Sequence, residues 1–471
     1  MKILVTGSKG QLGNEIQVLS KRHPQHNYVF VDVDELDITN NTSVQQFFAQ
    51  HQFDVCINCA AYTAVDKAEG DDTMAALINV TGVEYLANAC QRAGAVLFHI
   101  STDFVFDGSA TSPIEVATSV NPISVYGQTK AEGEYRALSL NQKTILIRTS
   151  WVYSTFGNNF VKTMIRLGKE KPELGVVNDQ VGCPTYAKDL AWVIFEFIKK
   201  LPTIEYGIYH FSNSGVTSWC GFAQKIMELY GLNCKVNPIT TDQYPTPAKR
   251  PKYSVMNCDK TINTLQINIP HWENALEECI QLLKQQEMLE QIDVKKIIAI
   301  AEAAGKEIMQ IYDTDDFAVT DKSDNSPLTK ADKAGNAVIV AALKKQYPQI
   351  PIISEENKMI EYADRKDWNY FWLVDPLDGT KEFIKKNGEF TVNIALVRNG
   401  KPVLGVVGIP AKNQMYYAVE NKGAYKIDEN GVETKLVVNE PKTDEIALIG
   451  SRSHPSPEFD AYLKDMESKF A

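Results

Sequence analysis

The chain has 471 residues, a length that suits about three compact units. Hydrophobic residues make up 44% and charged ones 23%, a globular balance that excludes a fibrous or wholly disordered chain. Lys and Arg total 48 against 59 Asp and Glu, so the net charge of -11 points away from nucleic acid and anionic membranes as partners. No apolar run approaches the ~20 residues of a membrane span. The opening MKILVTGSKG turns glycine-rich before a signal-peptide core is complete. A cytoplasmic protein is expected.

Eight cysteines, Cys56, Cys59, Cys90, Cys183, Cys220, Cys234, Cys258 and Cys279, all lie before residue 280. The two parts of the chain are therefore not copies of one unit. Cys56 and Cys59 have C-x-x-C spacing, but they sit in the apolar run DVCINCAAYT with no second pair suitably spaced. Reduced core thiols are expected rather than a zinc site.

KILVTGSKGQLGNEI reads as a strand, a glycine turn and a helix start. Gly7, Gly10 and Gly13 permit a tight turn, close approach of a pyrophosphate and close helix packing. The pyrophosphate then meets free N–H groups at a helix N-terminus. A second strand, YVFVD, ends at Asp32, whose carboxylate suits both hydroxyls of an adenosine ribose. FDVCINCA, GAVLFHIS and TILIRTS read as further strands. SVQQFFAQH, AALINVTGVEYLANACQRAG and SKRH with its preceding turn read as helical. This alternation predicts a doubly wound parallel sheet with its ligands at the C-terminal strand ends.

Tyr126 and Lys130 form Y-x-x-x-K, which puts both on one helix face. A neighbouring ammonium is expected to lower the phenol pKa and make Tyr126 a proton donor to a carbonyl oxygen. Thr102, at the end of the strand VLFHIS, is placed to bond the same oxygen.

These motifs, with NCAAYTAVDKAE, STDFVFDG, VYGQTKAEGE, RTSWVY, GNNFVKTM, NDQVGCPTYAKDLA, GIYHFSNSG and YPTPAKRPKYSVMN, resemble the extended short-chain dehydrogenase/reductases. Within them, residues 1–285 are most similar to the dTDP-4-dehydrorhamnose reductases. The resemblance implies a Rossmann domain with a small substrate subdomain. It implies reduction of a dTDP-sugar C4 ketone by NADH or NADPH. It places Gly7, Gly10, Gln11, Leu12, Gly13, Asp32, Asp37, Ile38, Ala61, Tyr62 and Thr63 on the cofactor, together with Tyr126 and Lys130. It makes Thr102, Tyr126 and Lys130 the catalytic trio, with Asp103 and Trp151 at the sugar and Arg250 at the diphosphate. A homodimer is compatible with it. An epimerase or dehydratase is the alternative within the superfamily; a dehydratase needs a carboxylate pair where Thr102-Asp103 offers one acid.

From Asn274 to Ala304 the sequence is helical with no Pro or Ser linker, so the join is a continuous helix or a short hinge. Met288-Leu-Glu-Gln looks like a protein start, as if two neighbouring frames were joined. Beyond it, Thr329-Lys-Ala-Asp332 opens a helix and Ser354-Glu355-Glu356 ends the strand PIISEE. Asp375 and Asp378 lie three apart in LVDPLDGT, bent by Pro376 and Gly379. These two aspartates and Glu355 are an oxygen donor set suited to Mg²⁺. Thr380 and Asp332 are placed to orient an attacking water.

This second part, 288–471, resembles the inositol-monophosphatase superfamily, in particular its 3′(2′),5′-bisphosphate nucleotidase branch, through LVDPLDGTKEFIKKNGEFTVNIAL and SDNSPLTKAD. The resemblance implies a layered α/β module acting on adenosine 3′,5′-bisphosphate. It implies metal ligands at Glu355, Asp375, Asp378 and the Leu377 main-chain oxygen, with Asp332 and Thr380 as catalytic groups. The branch's W-D-x-A-A-G motif does not occur before Ala471. The module is accordingly expected to be incomplete, with impaired turnover and an unpaired sheet edge; a bifunctional enzyme and a non-catalytic binding module are the alternatives.

Overall fold

The computed structural model describes residues 1–201, 203–314, 320–321, 327–438, 448 and 456–470. The chain divides into two compact units, Met1–Leu289 and Glu290–Ala471.

The first unit is built on a six-stranded sheet. Its elements are β1 (Lys2–Thr6), α1 (Gln11–Ser20), β2 (Asn27–Phe30), α2 (Asn41–His51), β3 (Val55–Asn58), α3 (Gly82–Ala93), β4 (Val96–Thr102), α4 (Val125–Leu140), β5 (Thr144–Thr149), α5 (Ala187–Lys200) and β6 (Gly207–His210). The strand order is β6-β5-β4-β3-β1-β2, and every pairing is parallel. Ile3, Leu4 and Val5 are wholly buried because helices cover both faces of the sheet. On one side Val44, Phe48, Val83 and Leu86 of α2 and α3 pack on it. On the other side Ile16 of α1 and Leu190, Ile194 and Phe197 of α5 do so. Each such side chain contributes about 1.5–3 kcal/mol by burial. The doubly wound parallel sheet expected from the alternating pattern is the observed one.

Two expectations move by a few residues. The strand expected to reach Asp32 stops at Phe30, although the Val31 N–H still donates to the Val5 carbonyl at 3.0 Å. The helix expected at SKRH ends at Ser20; Lys21–His23 form a turn closed by bonds to the Leu19 and Ser20 carbonyls.

A smaller subdomain follows the sheet. It holds a three-stranded sheet of Val181–Gly182, Thr217–Ser218 and Tyr253–Ser254, and a parallel pair, Glu173–Val177 with Lys235–Ile239. Its core gathers Tyr153, Tyr186, Phe222 and Trp272. All eight cysteines are free thiols. Helix α6 (Trp272–Gln291) then ends, and Asp293 starts a new helix by accepting from the Lys295 N–H at 3.0 Å. The join is thus two helices, not one.

In the second unit, α7 (Val294–Tyr312) and α8 (Lys330–Gln346) pack on one face of a seven-stranded sheet. Its strands are β7 (Ile352–Ser354), β8 (Tyr370–Asp378), β9 (Thr391–Arg398), β10 (Lys401–Ile409), β11 (Gln414–Val419), β12 (Gly423–Ile427) and β13 (Glu433–Leu436), with the short helix α9 (Thr380–Ile384) after β8. β7 pairs β8 in parallel, and the remaining pairings are antiparallel. Trp372, Val374, Ile394 and Leu404 are buried, whereas Leu373 and Val407, at alternate positions, are exposed. Among the described residues no helix is long and apolar enough to cross a membrane.

Candidate active sites

The glycine loop after β1 lies hard against the end of β3. Gly7 has φ 62°, and a Cβ there would meet the Ala60 nitrogen at 2.6 Å. A Cβ on Gly13 would meet the Gly7 carbonyl oxygen at 2.4 Å. Gly10 caps α1 with no side-chain bond, leaving the first-turn N–H groups of Gln11 and Leu12 for an anion. Asp32 stands beside this loop: its carboxylate accepts from the Lys9 and Val33 N–H groups, each at 2.9 Å. The Lys9 ammonium turns to Asp34 at 2.7 Å. Asp37 accepts from the Thr39 N–H at 2.9 Å, and Ile38 is buried over Gly82. Ala61, Tyr62 and Thr63 follow β3, with the Tyr62 N–H on Asn79 and its hydroxyl on Asp71 at 3.0 Å.

Across the strand ends, α4 presents Tyr126 and Lys130 on one buried face. Thr102 Oγ1, beside the Tyr126 hydroxyl, donates to Asp103 Oδ1 at 3.0 Å. One expectation fails here. Lys130 does not lower the phenol pKa; burial pushes Tyr126 up to about 12, and only Thr102 opposes it. The reason is that Lys130 Nζ donates to the Ile100 carbonyl at 2.7 Å instead. Burial also brings Lys130 down to about 8, opposed by Glu134. Asp103, wholly buried, is raised to about 6 by desolvation, and its Oδ2 has no partner in the protein.

Trp151, at φ 49°, stacks on Trp219 with ring centroids 3.7 Å apart and lies over Gly182. Arg250 is engaged within the protein: both guanidinium nitrogens hold Asp66, at 3.0 and 2.7 Å. Two residues next to the trio were not singled out in the sequence. Ser254 lies beside the Asp103 carboxyl. Glu134 lies one turn beyond Lys130, a spacing legible in VYGQTKAEGE but silent without its partners.

In the second unit, Thr329 and Asp332 form a reciprocal cap on α8, with Thr329 N–H on Asp332 Oδ2 at 2.7 Å. Thr380 Oγ1 lies 3.3 Å from Asp332 Oδ1 and 3.2 Å from the Leu377 carbonyl oxygen. Asp375 and Asp378 lie at the C-terminal end of β8, separated by a register shift. Gly379, at φ 92°, starts α9. Burial first, then the Glu355 and Asp378 carboxylates, raise Asp375 to about 7. The three acids are thus neighbours. Among the described residues, however, no group of three His, Cys, Asp or Glu side chains is already closed around one metal position. The first part of SDNSPLTKAD, residues 323–326, lies outside the described residues.

The family model described as RmlD substrate binding domain matches residues 1–285. A dTDP-4-dehydrorhamnose reductase of Aggregatibacter actinomycetemcomitans is 42% identical over 59% of this chain and 97% of its own length. The chain belongs to this reductase family. A crystal structure of a dTDP-4-dehydrorhamnose reductase from Clostridium acetobutylicum shares 46% identity at TM-score 0.58, covering 60% of this chain and 100% of that one. Another from Bacillus anthracis, in complex with NADP, shares 40% identity at TM-score 0.57, covering 59% of this chain and 98% of that one. The inositol monophosphatase family model matches residues 288–471, so a module of that family follows the reductase module.

Proposed function

We propose that the reductase module reduces the C4 ketone of a dTDP-4-dehydro-sugar, dTDP-4-dehydro-L-rhamnose, to the alcohol. The observation that carries this reading is the placement of Tyr126 and Lys130 on one buried face of α4, with Thr102 beside the phenol, at the strand ends that face the glycine loop. The residues fit a nicotinamide dinucleotide: Gly7, Gly10 and Gly13 clear space for the pyrophosphate, the Gln11 and Leu12 N–H groups receive it, and Asp32 takes the ribose. The bound NADH or NADPH supplies hydride to C4. Tyr126 gives its proton to the C4 oxygen, and Thr102 holds that oxygen in line. Lys130, charged, holds the end of β4 through Ile100 and places positive charge near the developing alkoxide. Asp103 and Trp151 frame the sugar, and Arg250 serves the diphosphate. The test is NAD(P)H consumption with the dTDP-4-dehydro-sugar. No oxidation above that of protein carrying Tyr126→Phe would overturn the reading.

For the second module the reading is a Mg²⁺-dependent phosphatase site of the 3′(2′),5′-bisphosphate nucleotidase kind. The crowding that raises Asp375 to about 7 supports it, because a divalent cation relieves repulsion among carboxylates. Glu355, Asp375, Asp378 and the Leu377 carbonyl are the oxygens that would hold Mg²⁺, which polarises phosphate oxygens when bound. Asp332 and Thr380 then orient a water. Mg²⁺-dependent phosphate release from adenosine 3′,5′-bisphosphate, with Asp375→Asn as control, tests it.

A further inference from the structure

We propose that Glu134 is a positioning residue of the reductase site, gripping the strand that carries Thr102 and the one that leads into Trp151, with its carboxylate one helical turn from Lys130. The inference rests on the roles of Tyr126 and Lys130 given above.

The geometry is a buried clamp. Glu134 accepts from Ser101 Oγ at 2.5 Å, from Arg148 Nε at 2.9 Å and from Arg148 Nη2 at 2.7 Å. The Arg148 and Glu134 side chains are only 3% and 5% exposed. Ser101 and Arg148 face each other in the β4–β5 register, immediately before Thr102 and Thr149. One carboxylate on α4 therefore fixes the ends of two strands. The first carries Thr102 and, at Ile100, the carbonyl that receives Lys130. The second leads into Ser150 and Trp151.

The spacing adds an electrostatic part. Tyr126, Lys130 and Glu134 recur every four residues on one helix face, so Glu134 lies nearest Lys130 on the side away from the phenol. The other groups about Lys130 are His99 on β4, which burial holds neutral, Asp103 beyond Tyr126, and Arg148 behind Glu134. From α3, Glu84 is drawn to Arg136 at the surface, 3.5 Å away. Desolvation works against the Lys130 ammonium, and the Glu134 charge opposes it.

A purely structural ion pair would predict the same loss of stability from breaking either partner. The proposal predicts opposite pH behaviour. Three variants separate the two: Glu134→Gln, Arg148→Met, and the double variant, which removes both charges and keeps the buried volume. For each, kcat/KM for ketone reduction and the affinity for NADPH are followed from pH 6 to pH 10. Glu134→Gln and the double variant should move the alkaline limb of both profiles down by about one pH unit. Arg148→Met should not move it down, whatever it does to thermal stability. The double variant supplies the answer if Glu134→Gln alone fails to fold. Limbs unmoved in the double variant, or displaced alike in Arg148→Met, would overturn the proposal. If the wild type fails to reduce the ketone, the reductase reading falls, while the cofactor-affinity limb still reads Lys130.

Discussion

The Lys130 ammonium donates to the Ile100 carbonyl across 2.7 Å, which ties helix α4 to the strand that ends in Thr102. The Tyr126 hydroxyl lies beside Thr102 on the same strand. Lys130 and Tyr126 thus meet through β4 rather than through each other. Burial pushes the phenol up to about 12, which keeps it a protonated donor at physiological pH.

Replacing Tyr126 with Phe should accordingly remove the proton donor and little else. Ketone reduction should fall about 10²–10⁴-fold. Cofactor affinity should remain near that of the wild type, because the phenol acts on the transition state. Steady-state kinetics with a separate NADPH binding titration read the two effects. Turnover near the wild-type rate would remove Tyr126 from the mechanism.

Asp32 should set cofactor choice. Its carboxylate sits at the glycine loop with Asp34 and Glu35 close by, and Lys9 is already engaged by Asp34. A 2′-phosphate would meet net negative charge, so NADH should be preferred. Asp32→Ala should raise kcat/KM for NADPH relative to NADH by about tenfold, a 1.4 kcal/mol effect of one repulsive contact. A wild type that clearly prefers NADPH would contradict the assignment of Asp32 to the ribose.

Much of this was legible from the sequence, for local reasons. Gly7, Gly10 and Gly13 announce themselves by spacing, and Tyr126 and Lys130 by helical period. Thr329 and Asp332 show as a cap before an apolar helix. What stayed hidden depends on partners far along the chain. Lys130 binds a backbone carbonyl, and carbonyls carry no sequence signature. Arg250 grips Asp66 from 184 residues away, and Ser154 donates to buried Glu15 from 139 residues away. The break before Val294 turns on one capping Asp293 within a uniformly helical pattern. The register shift between Asp375 and Asp378 arises from pairing with β9, which LVDPLDGT does not reveal.

The Arg250–Asp66 pair separates two roles. Arg250 holds the Asp66 carboxyl below its usual range through a side-chain hydrogen bond. A lowered carboxylate stabilises the fold above its unfolded pKa, and that share is lost as pH falls through the folded value. The pair is partly exposed, so Arg250→Ala should cost about 0.2–1 kcal/mol at neutral pH, and less as pH falls through the lowered Asp66 value. If Arg250 also serves the diphosphate, KM for the nucleotide-sugar should rise in Arg250→Ala but not in Asp66→Ala, which frees the guanidinium. Equal KM changes in both variants would leave Arg250 with the structural role alone.

The carboxylates of the second module should behave as a divalent-cation site. Glu355 and Asp378 both work against the charge on Asp375. Neutralising that position should therefore relieve repulsion in the metal-free protein. Asp375→Asn is expected to raise the thermal midpoint of the second unit without Mg²⁺ and to abolish the further rise that millimolar Mg²⁺ gives the wild type. Binding that favours the folded form stabilises it in proportion to ligand saturation, so the wild-type midpoint should climb with Mg²⁺ concentration and then level. The melting of the second unit, followed by the fluorescence of its buried Trp372, supplies the measurement. A wild-type midpoint indifferent to Mg²⁺, or an Asp375→Asn protein that still responds to it, would take the metal away from these residues. The nucleotidase reading of Glu355, Asp375 and Asp378 would go with it.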